Sequence, residues 1–425
     1  MLNKKINLPL IEQQHFLMKN QLILFTSDFP YGTGETFLET EIIYLSKGFD
    51  EVKIITQNTS SNFCRSLPEN CIVERINLTI SRSDKFKALL GLFNPLFWVE
   101  RKIIKSIYGF SLTKEMVRTM LISLYRGKKV KAIVRDLKQA NSQNIKQFFY
   151  SYWCDDVALG LALAQDKKNT LNCFSRIHGW DVYFEASSID YLPFRHYISE
   201  NLKTIYSISE KGKAYVRDHW KILNQEKIKV ARLGVPKQNP VEINKDHFIL
   251  VSCSNVIPLK RVDLIVRALS EIKDHKINWV HFGDGPQLSE VKELALEILP
   301  ENITFDFKGR ITNKEVLSWY AENNPSLFIN VSTTEGIPVS IMEAMSFGIP
   351  VIATDVGGTS EIVNDGNGML IPENPEISLI SNIILQFYNL NDETKNKLKR
   401  DAYLTWENDF NAEKNYNTFL MNINY

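Results

Sequence analysis

The sequence predicts an α/β protein built from two doubly wound, Rossmann-like domains that face each other across a cleft. Three observations predict it. The chain has 425 residues, more than one hydrophobic core usually serves. Short, continuous apolar runs alternate with helical patterns in both halves, as buried parallel strands and their crossover helices do. A polar stretch containing Pro240, KQNPVEINKD (237–246), separates the two series. The boundaries follow as 1–236 for the first domain and 237–405 for the second. Residues 406–425 read as a C-terminal helix that could pack back on the first domain.

The second half is the clearer. FILVSCS (248–254), WVHFG (279–283), ITFDFKG (303–309), SLFINVS (326–332) and PVIAT (350–354) read as strands. Helical patterns follow them near 262–272, 287–299, 313–322, 339–347 and 359–364. In the first half, LILFTS (22–27), VKIIT (52–56), FFYSYW (148–153), LNCFSRIHG (171–179), TIYSIS (204–209) and IKVARLGV (228–235) read as strands, with a helix from about Glu35 to Lys47. Ligands of such sheets bind beyond the carboxyl ends of the strands, so motifs there carry the most weight.

Composition excludes several classes. Apolar residues are 44%, charged residues 23% and net charge +1, so nothing global points to nucleic acid. Five scattered cysteines without CxxC or Cys/His spacing argue against a structural zinc and for a reducing compartment. MLNKKINLPLIEQQHFL lacks the apolar core of a signal peptide, and no run approaches about 20 apolar residues. The expectation is a cytoplasmic protein.

The densest motif is TTEGIPVSIMEAMSFGIPV (333–351), with seven residues between Glu335 and Glu343. Pro338 suits the start of a helix, where its missing N–H costs nothing. The free amides of Gly336, Ile337, Val339 and Ser340 would meet phosphate or sugar hydroxyls at the positive end of that helix. Taken alone, Glu335 would be a capping acid and Glu343 a solvated helix residue. Here Ile341, Met342, Ala344 and Met345 leave little polar face, so Glu343 is expected to be partly buried and to need donors.

The run continues as IATDVGGTSEIVNDGNGMLIP (352–372). The E-x7-E pair, the GIP turn, the ATDVGG loop and the GNGMLIP segment, about 40 residues in order, resemble the signature of retaining glycosyltransferases of family 4, which have the GT-B fold. Weaker similarity extends over most of the chain. The resemblance implies that Glu343 holds a nucleotide ribose and that Glu335 meets the transferred sugar. Gly336, Ile337, Pro338 and Val339 would line the sugar and phosphate. In SNVIPLKRVD (254–263), Lys260 matches a phosphate-gripping lysine. Asn255 stands where the family has arginine, a departure that adjacent Arg261 would make good. Gly283 and Gly285 of HFGDGP would let backbone approach the nucleotide, and Arg310 of FKGRI would lie near the base. In the first domain, Gly32 and Gly34 of SDFPYGTGETFLETEI resemble the loop that closes on donor phosphates. His178 of SRIHGWDVY resembles a sugar-positioning or catalytic histidine, and Asp181 is either an acceptor contact or an ordinary capping acid.

Residues 81–131 differ. They hold twelve Lys or Arg against Asp84, Glu100 and Glu115, and include LLGLFNPLFW (89–98). They read equally as a membrane-surface patch or as a packed helical insert with a solvated basic face.

The implied function is a metal-independent, retaining, hexosyltransferase-type glycosyltransferase without cofactor. It would move a sugar from a nucleotide-sugar, a UDP-sugar first and a GDP-sugar second, to a hydroxyl of a glycan or lipid-linked acceptor. Surface polysaccharide or lipopolysaccharide biosynthesis, at the inner face of the plasma membrane, fits such an acceptor. Rivals are a GT-B sugar-nucleotide epimerase or phosphorylase, and a non-catalytic nucleotide-sugar-binding subunit.

Overall fold

The computed structural model describes residues 18–32, 34–141, 145–165, 170–240 and 247–424. The N-terminal stretch read against a signal peptide, and residues 241–246 of the inter-domain segment, lie outside the described residues.

The first sheet holds β1 (Lys19–Thr26), β2 (Glu51–Thr56), β3 (Cys71–Arg75), β4 (Ile145–Ser151), β5 (Asn172–Ile177), β6 (Thr204–Ser207) and β7 (Ile228–Val230), in the order β3-β2-β1-β4-β5-β6-β7. The second holds β8 (Phe248–Cys253), β9 (Ile277–Phe282), β10 (Ile303–Gly309), β11 (Leu327–Asn330), β12 (Val351–Thr354) and β13 (Gly368–Ile371), in the order β10-β9-β8-β11-β12-β13. Every named pairing is parallel. Strand order reverses between β1 and β4 and again between β8 and β11. Loops leaving adjacent strands diverge at such points and open a crevice. Glu335, Lys260, Gly32 and Gly34 all lie on those loops.

Several sequence expectations shift. β3 is an edge strand with alternating exposure, and β13 and the helix Ile377–Asn389 complete the second domain. The helix expected from Glu35 begins at Leu38, because Glu35 has a left-handed backbone (φ 52°) that no helix tolerates. The helix expected at 359–364 shortens to a 3-10 turn, Thr359–Glu361. Residues 81–131 are helical: Arg82–Ala88, Pro95–Ser106 and most of Lys114–Ala140.

Two contacts of different character join the domains. On one side the chain crosses back through Trp406–Phe410, and Val235, Leu233, Trp406 and Phe410 share an apolar cluster with the second domain. On the other, the Glu361 carboxylate accepts the amides of Glu210 (2.8 Å) and Lys211 (2.7 Å), which open the helix Glu210–His219. An anion there is favoured by the helix dipole. The helix Ala412–Asn424 then packs on the first domain. Leu420 covers Gly48, and Phe419 meets Tyr150, Phe174 and Tyr206. Phe419 also covers Arg176, whose buried guanidinium pairs with buried Glu41.

Phe419→Ala should therefore lower stability by about 3–5 kcal/mol, through the cavity and through the loosened lid on a buried ion pair. Urea unfolding followed by tryptophan emission checks this; an unchanged midpoint would show that the helix does not complete the first core.

Candidate active site

The site begins where β11 ends. Asn330 is buried; its amide nitrogen donates to Glu335 Oε1 (3.1 Å) and its oxygen accepts from Ser332 N–H (3.0 Å). Lys260 Nζ donates to the same Glu335 oxygen at 2.6 Å. The loop after β8 is zipped to the loop after β11, with Thr333 N–H donating to Leu259 carbonyl (2.8 Å). Glu335, Lys260 and Asn330 thus form one cluster at the switch point.

The turn Gly336–Pro338 leads into the helix Val339–Ser346, whose first amides have no intrahelical acceptor. Gly336 faces the first domain at close range: a Cβ there would meet the His178 carbonyl oxygen at 2.8 Å. About one turn into the same helix lies Glu343, buried as expected. Asn313 Nδ2 donates to it at 2.6 Å. Burial pushes its carboxyl up to about 7, and the Asn313 hydrogen bond opposes that only in part. Asn313 opens the helix Asn313–Asn323, three residues beyond exposed Arg310, so the 309–313 loop borders this carboxylate.

Four expected site residues are engaged elsewhere. Arg261 has a left-handed backbone (φ 47°), and its guanidinium donates to the carbonyls of Val331 (2.7 Å), Ser332 (3.1 Å) and Glu373 (2.7 Å) and to Asn374 Oδ1 (3.3 Å). It ties three segments together here and does not reach outward as a second phosphate cation. Asp181 is fully buried and accepts the amides of Cys154 (3.0 Å), His178 (2.8 Å) and Gly179 (3.0 Å). It shapes its own loop, which leaves no lone pair facing an acceptor. Gly283 (φ 143°) and Gly285 permit close approach to protein: a Cβ would lie 1.8 Å from the Ser254 carbonyl and 2.3 Å from that of Val256.

From the first domain, His178 stands against the Gly336 turn. It is walled by Phe37 (5.9 Å), Tyr152 (4.6 Å) and Trp153 (4.5 Å between centroids). The glycine loop is cinched: Arg65 donates to the carbonyls of Gly32 and Gly34, and Asp28 accepts the Gly34 amide. Glu35 accepts the amides of Ser27, Asp28 and Phe29 and the Trp153 indole N–H. Sequence reasoning missed Asn330, Asn313 and Glu35. Asn313 sits inside a capping box, Thr312 to Glu315, which marks a helix start but not a partner 30 residues away.

Solved structures superpose over nearly the whole length of the chain. A glycosyltransferase from Rickettsia africae aligns at TM-score 0.65 and 19% identity, covering 95% of this chain and 98% of that one. Anabaena Alr3699/HepE in complex with UDP aligns at 0.64 and 17%, covering 95% and 99%. The fold is GT-B. Within it, residues 236–405 match the family described as Glycosyl transferases group 1. Among curated relatives, the O-antigen biosynthesis glycosyltransferase WbnH of Escherichia coli is 26% identical over 218 residues, 48% of this chain and 57% of that protein. The putative colanic acid biosynthesis glycosyltransferase WcaL of E. coli K12 is 28% identical over 200 residues, 44% and 49%. The chain thus spans about half the length of these two relatives.

The raised Glu343 pKa has a measurable sign. The fold holds this proton more tightly than the unfolded chain does. The associated stability is complete below pH 4.5, the ordinary carboxyl value, and is lost as pH rises through about 7. Wild type should lose roughly 3 kcal/mol over that window relative to Glu343→Gln. Parallel denaturation curves with no such divergence would place the carboxylate in water.

Proposed function

We propose that this protein is a retaining glycosyltransferase that moves a sugar from a nucleotide-sugar, preferably a UDP-sugar, to a hydroxyl of a glycan or lipid-linked acceptor in surface polysaccharide biosynthesis. One observation carries it: a buried carboxylate with a single side-chain donor among the described residues lies about one turn inside a helix whose mouth holds the Lys260–Glu335 pair. Ribose hydroxyls would supply the missing donors to Glu343. The diphosphate would lie at the helix mouth, where first-turn amides and Lys260 meet it. Lys260 would exchange Glu335 for phosphate oxygens, which frees Glu335 for the donor sugar. As the glycosidic bond to the diphosphate breaks, charge grows on the departing oxygen, and Lys260 and the helix mouth stabilise it. The acceptor hydroxyl attacks from the same face, and its proton passes to the departing diphosphate. His178, across the cleft, positions the sugar. Closure of the domains excludes water as a competing acceptor.

The names of the relatives support the biosynthetic setting, and the UDP in the Anabaena complexes supports the choice of nucleotide. A second reading, a catalytically silent nucleotide-sugar-binding subunit, is favoured by exposed Asn255 and by the engaged Arg261, which leave Lys260 as the cation at the cluster. Turnover on a donor panel with lipid extract as acceptor, read by mass spectrometry, separates the two. Product formation that survives EDTA is expected, since no step above calls on a metal.

Ribose hydroxyls donating to Glu343 would favour its charged form and lower its pKa. UDP binding near pH 6.5 should therefore release a proton, visible in calorimetry as heats that vary with buffer ionisation enthalpy. Glu343→Gln should reduce that release to the part that comes from the UDP phosphate itself and weaken UDP roughly tenfold or more. Buffer-independent heats in wild type would remove Glu343 from the nucleotide site.

The segment 81–131 extends the proposal. Phe86, Leu90, Phe93, Trp98 and Val99 are exposed, with Phe93 at 85%, among the exposed cations Arg82, Lys85, Lys87, Arg101, Lys102 and Lys105. No helix among the described residues is long and apolar enough to cross a membrane. Apolar tips within a cationic field suit the surface of an anionic bilayer. The protein should bind anionic vesicles and come off with added salt; no binding, or equal binding to neutral vesicles, counts against the idea.

A further inference from the structure

One aromatic feature of the cleft is not accounted for by the donor site. Trp180 follows His178 by two residues, on the loop that leaves β5. It is 48% exposed, and its ring lies 5.2 Å from that of Trp153, tilted by 36°. Trp153 in turn lies 4.5 Å from the His178 ring. The three rings form a ladder from the Gly336 turn outward, buried at its inner end and open at its outer end. Neither nitrogen of buried His178 makes a hydrogen bond among the described residues, although Nδ1 lies 3.9 Å from the Asp181 carboxylate. Gly179, between His178 and Trp180, borders open space: a Cβ there would meet nothing within 4 Å.

The ladder is held rigidly from behind. Glu35 takes the Trp153 indole N–H, and three loop amides fix Glu35. Asp181 takes three amides around the Trp180 loop. With its loop held and its ring set against the anchored Trp153, the half-exposed Trp180 indole loses little side-chain entropy on meeting a ligand.

We propose that Trp180 and Trp153 form a stacking platform for a pyranose ring of the acceptor. The C–H face of a pyranose is apolar and flat enough to cover an indole, and its rim of hydroxyls stays with water or with polar groups. The platform belongs to the first domain, whereas Glu343 and Arg310 belong to the second, so it serves the acceptor side of the cleft. This inference rests on the glycosyltransferase proposal above.

Saturation-transfer NMR tests it, using the methyl α- and β-pyranosides of glucose, galactose and N-acetylglucosamine, each with and without UDP. Ring protons of at least one pyranoside should be saturated from the protein. Trp180→Ala should abolish the transfer or weaken binding roughly five- to tenfold, and Trp180→Phe should retain part of it. Should the alanine protein fail to fold, Trp180→Leu, apolar but not aromatic, decides: loss of transfer supports the platform. The proposal is overturned if no pyranoside is saturated by wild type, or if transfer is undiminished without the indole. Calorimetry with UDP on the same wild-type sample separates the two claims. UDP bound without any pyranoside overturns the platform and leaves the donor site standing. A pyranoside bound without UDP keeps the platform and overturns the donor site.

Discussion

The second domain is organised around one ill-placed group, the Glu343 carboxylate. Ile341, Met342, Ala344 and Met345 of the same helix are all fully buried. Turning Glu343 outward would bring them into water, at a cost of roughly 1.5–3 kcal/mol for each large side chain. That exceeds the penalty of keeping one carboxyl buried with a single donor. The helix therefore stays docked, and the penalty stays with Glu343. Cys253, at the end of β8, shares the desolvated environment: burial first, then the nearby Glu343 charge, push its thiol up to about 12. Such unresolved local tension is what a ligand rich in hydroxyl donors would relieve.

The two sides of the cleft differ in what holds them. The crossover side is apolar, with Val235, Trp406 and Phe410 continuous with the second core. The opposite side mixes polar and apolar contacts, with Glu361 on two amides and 3.5 Å from Arg232, Lys211 3.5 Å from half-exposed Asp355, and Ile208 within the second domain's apolar cluster. Apolar continuity resists separation, while exposed ionic contacts such as Lys211–Asp355 contribute little. Backbone meets backbone where Gly336 approaches His178.

Much of this was legible in the chain. Strands β8, β9, β11 and β12 of the second domain are continuous apolar runs because both faces are covered, and with β10 they were read within about two residues of their observed ends, whereas half-buried β13 was not read as a strand. β3 was missed because its residues are half-exposed at a sheet edge, which leaves no apolar run. The helix after the glycine loop was started too early, since no pattern reveals that Glu35 takes a left-handed backbone. Within the site, Pro338 marked the helix start, and the apolar Ile341, Met342, Ala344 and Met345 marked the burial of Glu343. The fate of Arg261 was not readable. Its acceptors come from the ends of β11 and β13, and only the folded chain brings those carbonyls to it. Asp181 failed for the same reason, because its three amides converge from two strands' loops.

The helix Ala412–Asn424 has a consequence for how the protein comes into being. Residues made first, in β1, β4 and the helix Leu38–Gly48, share a core with Phe419, Leu420 and Ile423. During translation the amino-terminal sheet must wait, with one flank uncovered, through the synthesis of an entire second domain. The Arg176–Glu41 pair is roofed only when residue 419 arrives. A nascent chain in that interval exposes an apolar flank for as long as some 190 residues take to emerge, at roughly 5–20 residues per second. Chaperone dependence should therefore concentrate on the half of the molecule that leaves the ribosome earliest.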